Sequence, residues 1–303
     1  NLTEVILPSK LQRIGIDVNI TTNYDSRTWI WGADTGSLLF ENCPQLKSVY
    51  FRGYLPPMVN RPWLDLDRSD FKYGKNLTIY VPQETIKTYQ NVPEWEYLSS
   101  YMVGCQYSDI GVAPKYLSED YSIDGRVHTI QRATVGKGID LVVLGDAFSD
   151  REILDGIYRE WCDKSVNAIF SEEPYKSHKE YFNIHLVDVV SMTEGYDDEY
   201  CRPAFGSYVI ANRCGGNDFK VLDYVNKVIT EEQFDQAIIS VLINTDAYAG
   251  TCYIYPPHPS FHNGWAISYS ACNSDNEKFE GIIKHEVAGH CFAKLADEYA
   301  YEH

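Results

Sequence analysis

Three strand-like stretches rich in apolar residues constrain the fold of this 303-residue chain most strongly. They cover residues 139–144, 182–190 and 237–243. Strands that are apolar on both faces are typical of a parallel sheet with helices on both sides. The spacing of apolar residues over about 151–170, and a second expected helix at 218–229, place helices between these strands. The alternation predicts an α/β domain built on a parallel or mixed sheet.

The N-terminal third of the chain has a different, β-rich pattern. Short strand-like runs at 18–21 and 29–31 alternate with turns, and residues 39–51 combine an apolar ladder with an Asn-Cys turn. One strand and one turn per repeat is the pattern of leucine-rich repeats. The segments ENCPQLKSVYF and LTIYVP, followed by a Tyr…Trp helix, also resemble the ends of such arrays on bacterial surface proteins. We therefore expect a small leucine-rich-repeat-like domain at 1–110, with a generic β-rich domain as the alternative.

The boundary between the two parts is expected at residues 111–121. Gly, Pro, Ser and Asp occur in this region with only weak periodicity, which is typical of a linker. The α/β domain then occupies residues 122–303.

The charge and hydropathy of the chain argue against nucleic-acid binding and against a transmembrane helix. The net charge of −17 argues against nucleic-acid binding, which needs a basic surface. No apolar run is long enough for a transmembrane helix. We expect no nucleic-acid partner and no transmembrane segment.

A helical segment near the C-terminus carries the candidate chemistry. It runs from about 280 to 299 and contains His285, Glu286 and His290. Two histidines four residues apart, with a glutamate after the first, form the HExxH signature of zinc peptidases. Here the spacing is five, which on a regular α-helix puts the second histidine about 140° around the axis. We therefore predict a π-bulge around residues 287–289, which Gly289 would permit.

A strand-like segment at residues 265–270 precedes this helix by about ten residues. An exposed edge strand in such a position binds extended peptides through main-chain hydrogen bonds. An ordinary inner strand has the same alternating pattern, so the sequence leaves both interpretations open.

Three motifs, in order along the chain, resemble those of the IgA-peptidase family of bacterial zinc metallopeptidases. They are GKGIDLVVLGDAFSD, EEPYKSHKEYFNIHLVDVVS and HEVAGHCFAKLADEY, and the resemblance covers about residues 122–303. It implies an α/β zinc-metallopeptidase domain with a mixed sheet and a long active-site helix. His285 and His290 would bind Zn²⁺, and Glu286 would act as general base on a metal-activated water. Many members carry HExxH where this chain has the longer HExxxH.

The third zinc ligand is less well defined by the sequence, although catalytic zinc usually has three protein ligands. We expect Asp297, but a continued helix would carry it about 10 Å beyond the second histidine. It can serve only if the helix ends near 293–295 and the chain turns back. His303 is an alternative ligand, and a solvent-exposed charge is the alternative role of Asp297. Tyr299 or Tyr301 is expected to stabilise the oxyanion.

These observations predict a secreted or cell-surface zinc-dependent endopeptidase that acts on protein or peptide substrates. The expected location is extracellular, periplasmic or at the surface of a bacterium, with any surface attachment outside this sequence. Two alternatives remain open. One is a catalytically inactive peptidase-fold module for binding or adhesion. The other assigns the His–Glu–His group to packing.

Overall fold

The chain forms two compact units in the computed structural model. The described residues are 2–11, 13–14, 43, 45–59, 77–110, 113–196, 201–256 and 265–297. The N-terminal unit consists of Asn1–Lys115 and Asp198–Arg202, and the C-terminal unit of Tyr116–Asp197 and Pro203–His303. The strands predicted at 18–21 and 29–31 lie outside the described residues. None of the described helices has the length and hydropathy of a membrane span.

The N-terminal unit is built on a small parallel sheet. Its described strands are β1 (Glu4–Ile6), β2 (Arg13–Ile14), β3 (Ser48–Tyr50), β4 (Met58–Val59), β5 (Thr78–Pro82) and β6 (Met102–Cys105), and its helices are α1 (Ile86–Asn91) and α2 (Pro93–Glu96). Four strands pair in the order β1-β3-β5-β6, all parallel, and β2 pairs with β4. The fully buried ring of Trp95 lies 4.9 Å from Phe51 and 5.4 Å from Tyr89, centroid to centroid. This aromatic cluster joins the helices to the sheet.

The C-terminal unit contains a mixed sheet with the order β13-β14-β12-β8-β9-β7. Its described strands are β7 (Val127–Gln131), β8 (Ile139–Asp146), β9 (Phe182–Val187), β10 (Tyr208–Ile210), β11 (Arg213–Gly215), β12 (Ile238–Ile243), β13 (Gly250–Tyr255) and β14 (Trp265–Ala271). The four inner strands are parallel, and the two edge strands β13 and β7 are antiparallel to their neighbours. Every residue of β12 is buried. The prediction of a mixed α/β fold is confirmed.

The helices of this unit are α3 (Asp150–Leu154), α4 (Ile157–Ile169), α5 (Asp218–Val225), α6 (Asn276–Ile282) and a π-helix (Ile283–Phe292). The predicted helix at 151–170 is interrupted, because Gly156 adopts a left-handed conformation with φ of 84° between α3 and α4. Leu141, Val166 and Val287 belong to one buried cluster, so α4 and the π-helix pack on the same face of the sheet.

The edge-strand interpretation of residues 265–270 is wrong. These residues form most of β14, which pairs with β12 on one side and with β13 on the other. All seven residues of β14 are buried. The exposed edge beside the π-helix belongs instead to β13.

Candidate metal centre

The segment with the two histidines is a π-helix that continues directly from α6. Asp275 begins α6 by accepting hydrogen bonds from the backbone N–H groups of Glu277 and Lys278. The π-helix is anchored by Ile283, Val287 and Cys291, which are almost fully buried. Residues five apart in a π-helix are joined by a backbone hydrogen bond, so they lie one above the other. The predicted distortion is therefore present, and it extends over ten residues.

Gly289 was expected to permit this distortion, but the geometry does not require a glycine there. A Cβ at this position would lie 3.5 Å from the carbonyl oxygen of Lys284, which is ordinary van der Waals contact. The small side chain is compatible with the π-helix without being its cause.

The π-helix brings the two imidazoles together. Nε2 of His285 lies 3.0 Å from Nε2 of His290, although the residues are five apart. The helix ends at Phe292, and Lys294 then takes a left-handed conformation with φ of 55°. This reversal returns Asp297 to the histidines, with its Oδ1 at 3.1 Å from His290 and 3.3 Å from His285. The structure thus places all three expected ligands in one cluster.

The second histidine is held in a tautomer suited to ligation. Nδ1 of His290 donates a hydrogen bond to the carbonyl oxygen of Leu295 at 2.6 Å. In a neutral imidazole this leaves Nε2 without a proton, so its lone pair faces the cluster. The backbone that turns after Phe292 therefore both delivers Asp297 and orients His290.

The three ligand atoms fit a zinc ion. Zinc bonds to imidazole nitrogen and carboxylate oxygen are about 2.0–2.2 Å long, so ligand atoms of a tetrahedral site lie roughly 3.3 Å apart. The three distances here are 3.0, 3.1 and 3.3 Å. The side chain of His285 is 54% exposed and that of Asp297 37%, whereas that of His290 is 12% exposed. One side of the cluster is therefore accessible to solvent.

Glu286 is part of the π-helix, and its side chain contacts the edge strand β13. Burial raises the pKa of its carboxyl group, while His285, His290 and a hydrogen bond with the backbone of Cys252 lower that pKa. Room for the side chain depends on Gly250 of β13. A Cβ there would lie 2.7 Å from Cγ of Glu286. The carboxylate is thus fixed by contacts with the strand and is not one of the three clustered ligands.

Other sequence-predicted candidates lie outside the part of the chain that the structure describes. They are Tyr299, Tyr301 and His303. Two residues that the sequence did not single out contact the π-helix. Gly250 lies against Glu286, and Tyr175 bonds to the helix backbone. The hydroxyl of Tyr175 donates a 2.6 Å hydrogen bond to the carbonyl oxygen of Ala288, within the π-helix. Its motif, EEPYKSHKEYF, carried the family resemblance but gave no chemical reason to select this tyrosine.

Comparison with known families agrees with this geometry. A family described as IgA Peptidase M64 matches residues 129–303, which is more than half of the 303-residue chain. The match includes the two histidines, Glu286 and Asp297, as well as every strand of the mixed sheet except the first two residues of β7. No curated protein matches the chain significantly.

Proposed function

Because the chain belongs to the IgA peptidase M64 family, we propose that its C-terminal unit is a zinc-dependent endopeptidase. The observation that carries the proposal is the convergence of two imidazole nitrogens and one carboxylate oxygen within 3.3 Å of one another. His285, His290 and Asp297 are proposed as the zinc ligands. Two measurements test this proposal: the zinc content of the purified protein, and its hydrolysis of fluorescein-labelled casein. A protein that stays without metal and activity after zinc loading would refute it.

The proposed chemistry divides between the metal and the chain. Zinc held by the cluster supplies a Lewis acid that polarises the scissile carbonyl and lowers the pKa of a water molecule to about 7. Glu286 accepts the proton of the attacking water and later donates it to the leaving amine. Tyr299 remains a proposed oxyanion donor.

A catalytically inactive peptidase-fold module remains the alternative, and a repeat-like N-terminal unit would suit it. The lack of a definite third ligand does not support it, because Asp297 lies 3.1 Å from His290. The other alternative, in which the His–Glu–His group only packs, is disfavoured because more than half of the His285 side chain is accessible to solvent.

The edge strand β13 is the proposed binding site for the peptide backbone. The N–H of Gly250 bonds to the carbonyl oxygen of Asn212 and not to β14, so the backbone groups of Gly250, Cys252 and Ile254 point away from β14. The backbone of Cys252 is hydrogen-bonded to Glu286. Ile254 lies two residues further along the strand and is 47% exposed. An extended substrate is proposed to pair with this position.

We expect Ile254→Pro to raise KM by roughly 10-fold, because it removes one main-chain donor to the substrate. Proline on an edge strand with its nitrogen facing solvent does not interrupt the ladder. Zinc content should stay unchanged. Casein kinetics of the variant provide the test, and an unaltered KM would place substrate elsewhere.

We expect Gly250→Ala to lower kcat/KM by roughly 10–100-fold without loss of zinc. The new Cβ would lie 2.7 Å from Cγ of Glu286 and 2.9 Å from Cγ2 of Ile282, so the glutamate must move. Gly281→Ala is the matched control, since a Cβ there meets no described atom within 4 Å. Equal activity of the two variants would show that the position of Glu286 is not set by β13.

The N-terminal unit is proposed to be a leucine-rich-repeat-like module. Its four parallel strands align Val5, Val49, Ile79 and Met102 in one row across the sheet, one residue per strand. Such a row is expected when successive repeats stack. We further propose that the protein acts outside the bacterial cytoplasm, in the periplasm, at the cell surface or in the medium. Biotinylation of intact cells by a membrane-impermeant reagent, followed by fractionation, tests the location.

A further inference from the structure

The π-helix that carries the two histidines has an unusual hydrogen-bond register. π-helices are rare, and they occur mostly as single-turn bulges at functional sites. Here the register extends from Ile283 to Phe292. It is what allows His285 and His290 to meet, because a regular α-helix would separate them by about 140°. A contact from outside the helix that favours this register would therefore act on the metal site.

Tyr175 makes such a contact. Its hydroxyl donates a buried 2.6 Å hydrogen bond to the carbonyl oxygen of Ala288, which lies between the two histidines in sequence. The same oxygen accepts the N–H of Ala293 at 3.2 Å, five residues further along. In an α-helix it would accept from residue 292 instead. Both lone pairs of this carbonyl are thus used in the π register, one by the helix and one by Tyr175.

The ring of Tyr175 reinforces the contact. It packs against Phe292, the last residue of the π-helix, at 5.4 Å between centroids. Tyr175 itself is only 8% exposed. It precedes the 3₁₀ segment Lys176–Tyr181 and lies 113 residues before Ala288, so it belongs to a separate element. The π-helix is therefore held at its middle and at its end by one side chain.

We propose that Tyr175 is a positioning residue of the metal centre, which holds the π-helical turn that joins His285 to His290. The proposal rests on the zinc site put forward above. Tyr175 does not touch the ligand atoms, and it acts through the backbone of Ala288. Residues that orient ligands from outside the coordination shell typically change metal affinity by 10–100-fold.

The test compares Tyr175→Phe with Tyr158→Phe. Both changes remove one buried hydroxyl and keep the ring. The hydroxyl of Tyr158 donates to the carbonyl oxygens of Val187 and Val143, at 2.8 and 3.2 Å, within the sheet region and not on the π-helix. Zinc affinity is measured by competition with a chromophoric chelator, ligand geometry by the visible spectrum of the Co²⁺-loaded protein, and stability by Tm without metal.

Tyr175→Phe is expected to weaken zinc binding by about 10–100-fold and to change the Co²⁺ spectrum. Tyr158→Phe is expected to lower Tm while its zinc affinity and Co²⁺ spectrum stay those of the wild type. Amide hydrogen exchange of the metal-free proteins adds a second measurement. The N–H of Ala293 should exchange faster in Tyr175→Phe alone, even if that variant is less stable.

These measurements distinguish the positioning role of Tyr175 from the proposed zinc site itself. If the wild type binds zinc and Tyr175→Phe matches it in affinity, spectrum and Ala293 exchange, the positioning role is wrong and Tyr175 only packs. If the wild type binds no zinc, the proposed function fails, and the positioning role fails with it. Weakened zinc binding with a changed Co²⁺ spectrum in Tyr175→Phe alone supports the inference.

Discussion

Glu286→Gln is expected to lower peptidase activity by about 10²–10⁴-fold while the protein keeps one zinc per chain. Glutamine has nearly the shape of glutamate, but its amide does not accept a proton from water at neutral pH. Its side-chain oxygen still accepts the hydrogen bond from the backbone of Cys252. Glu286 lies outside the cluster of His285, His290 and Asp297, so metal binding should not depend on its charge.

A matched control for this change is Glu280→Gln. Glu280 is exposed on α6, one and a half turns before Glu286, and pairs with Lys284 at 3.4 Å. Exposed pairs of this kind contribute little to stability. The control should therefore retain activity and zinc. Hydrolysis of labelled casein by Glu286→Gln above a tenth of the wild-type rate would rule out this residue as the general base.

Asp297→Ala is expected to weaken zinc binding by more than the 10–100-fold typical of residues outside the coordination shell. The change removes the one oxygen ligand proposed for the site and leaves two imidazoles, whereas catalytic zinc usually has three protein ligands. Activity should fall together with zinc content at limiting metal. Both should recover in part when zinc is raised well above the new Kd.

Asp163→Ala is the matched control, because Asp163 is a half-exposed aspartate that pairs with Arg159 on α4 and is not part of the cluster. Metal titration followed by competition with a chelator measures both variants. Unchanged zinc affinity in Asp297→Ala would remove Asp297 from the ligand set and return attention to residues after it.

The sequence was most informative where one local pattern determines structure. The apolar runs predicted three of the four inner strands, β8, β9 and β12, because burial on both faces favours apolar residues at most positions. The five-residue spacing of His285 and His290 predicted a distortion because helix geometry permits few ways to bring them together.

Other features depend on contacts between residues far apart in sequence. Nothing in residues 265–270 indicates that β13 would pair on their outer side, so the sequence could not choose between an edge strand and an inner strand. The sequence required the helix to end near 293–295 for Asp297 to serve, but no glycine or proline marks the stop. The reversal uses Lys294 at φ of 55°, where a glycine would ordinarily mark the stop. Tyr175 was missed because its hydrogen bond to Ala288 spans 113 residues.

Anomalous X-ray scattering at the zinc edge, on crystals of the zinc-loaded protein, is the sharpest test of the proposed zinc site. We predict one peak, at about 2.0–2.2 Å from Nε2 of His285, Nε2 of His290 and a carboxylate oxygen of Asp297. Glu286 should lie outside this shell. The absence of a peak after zinc loading, or a zinc ion held by other residues, would contradict the proposed zinc site.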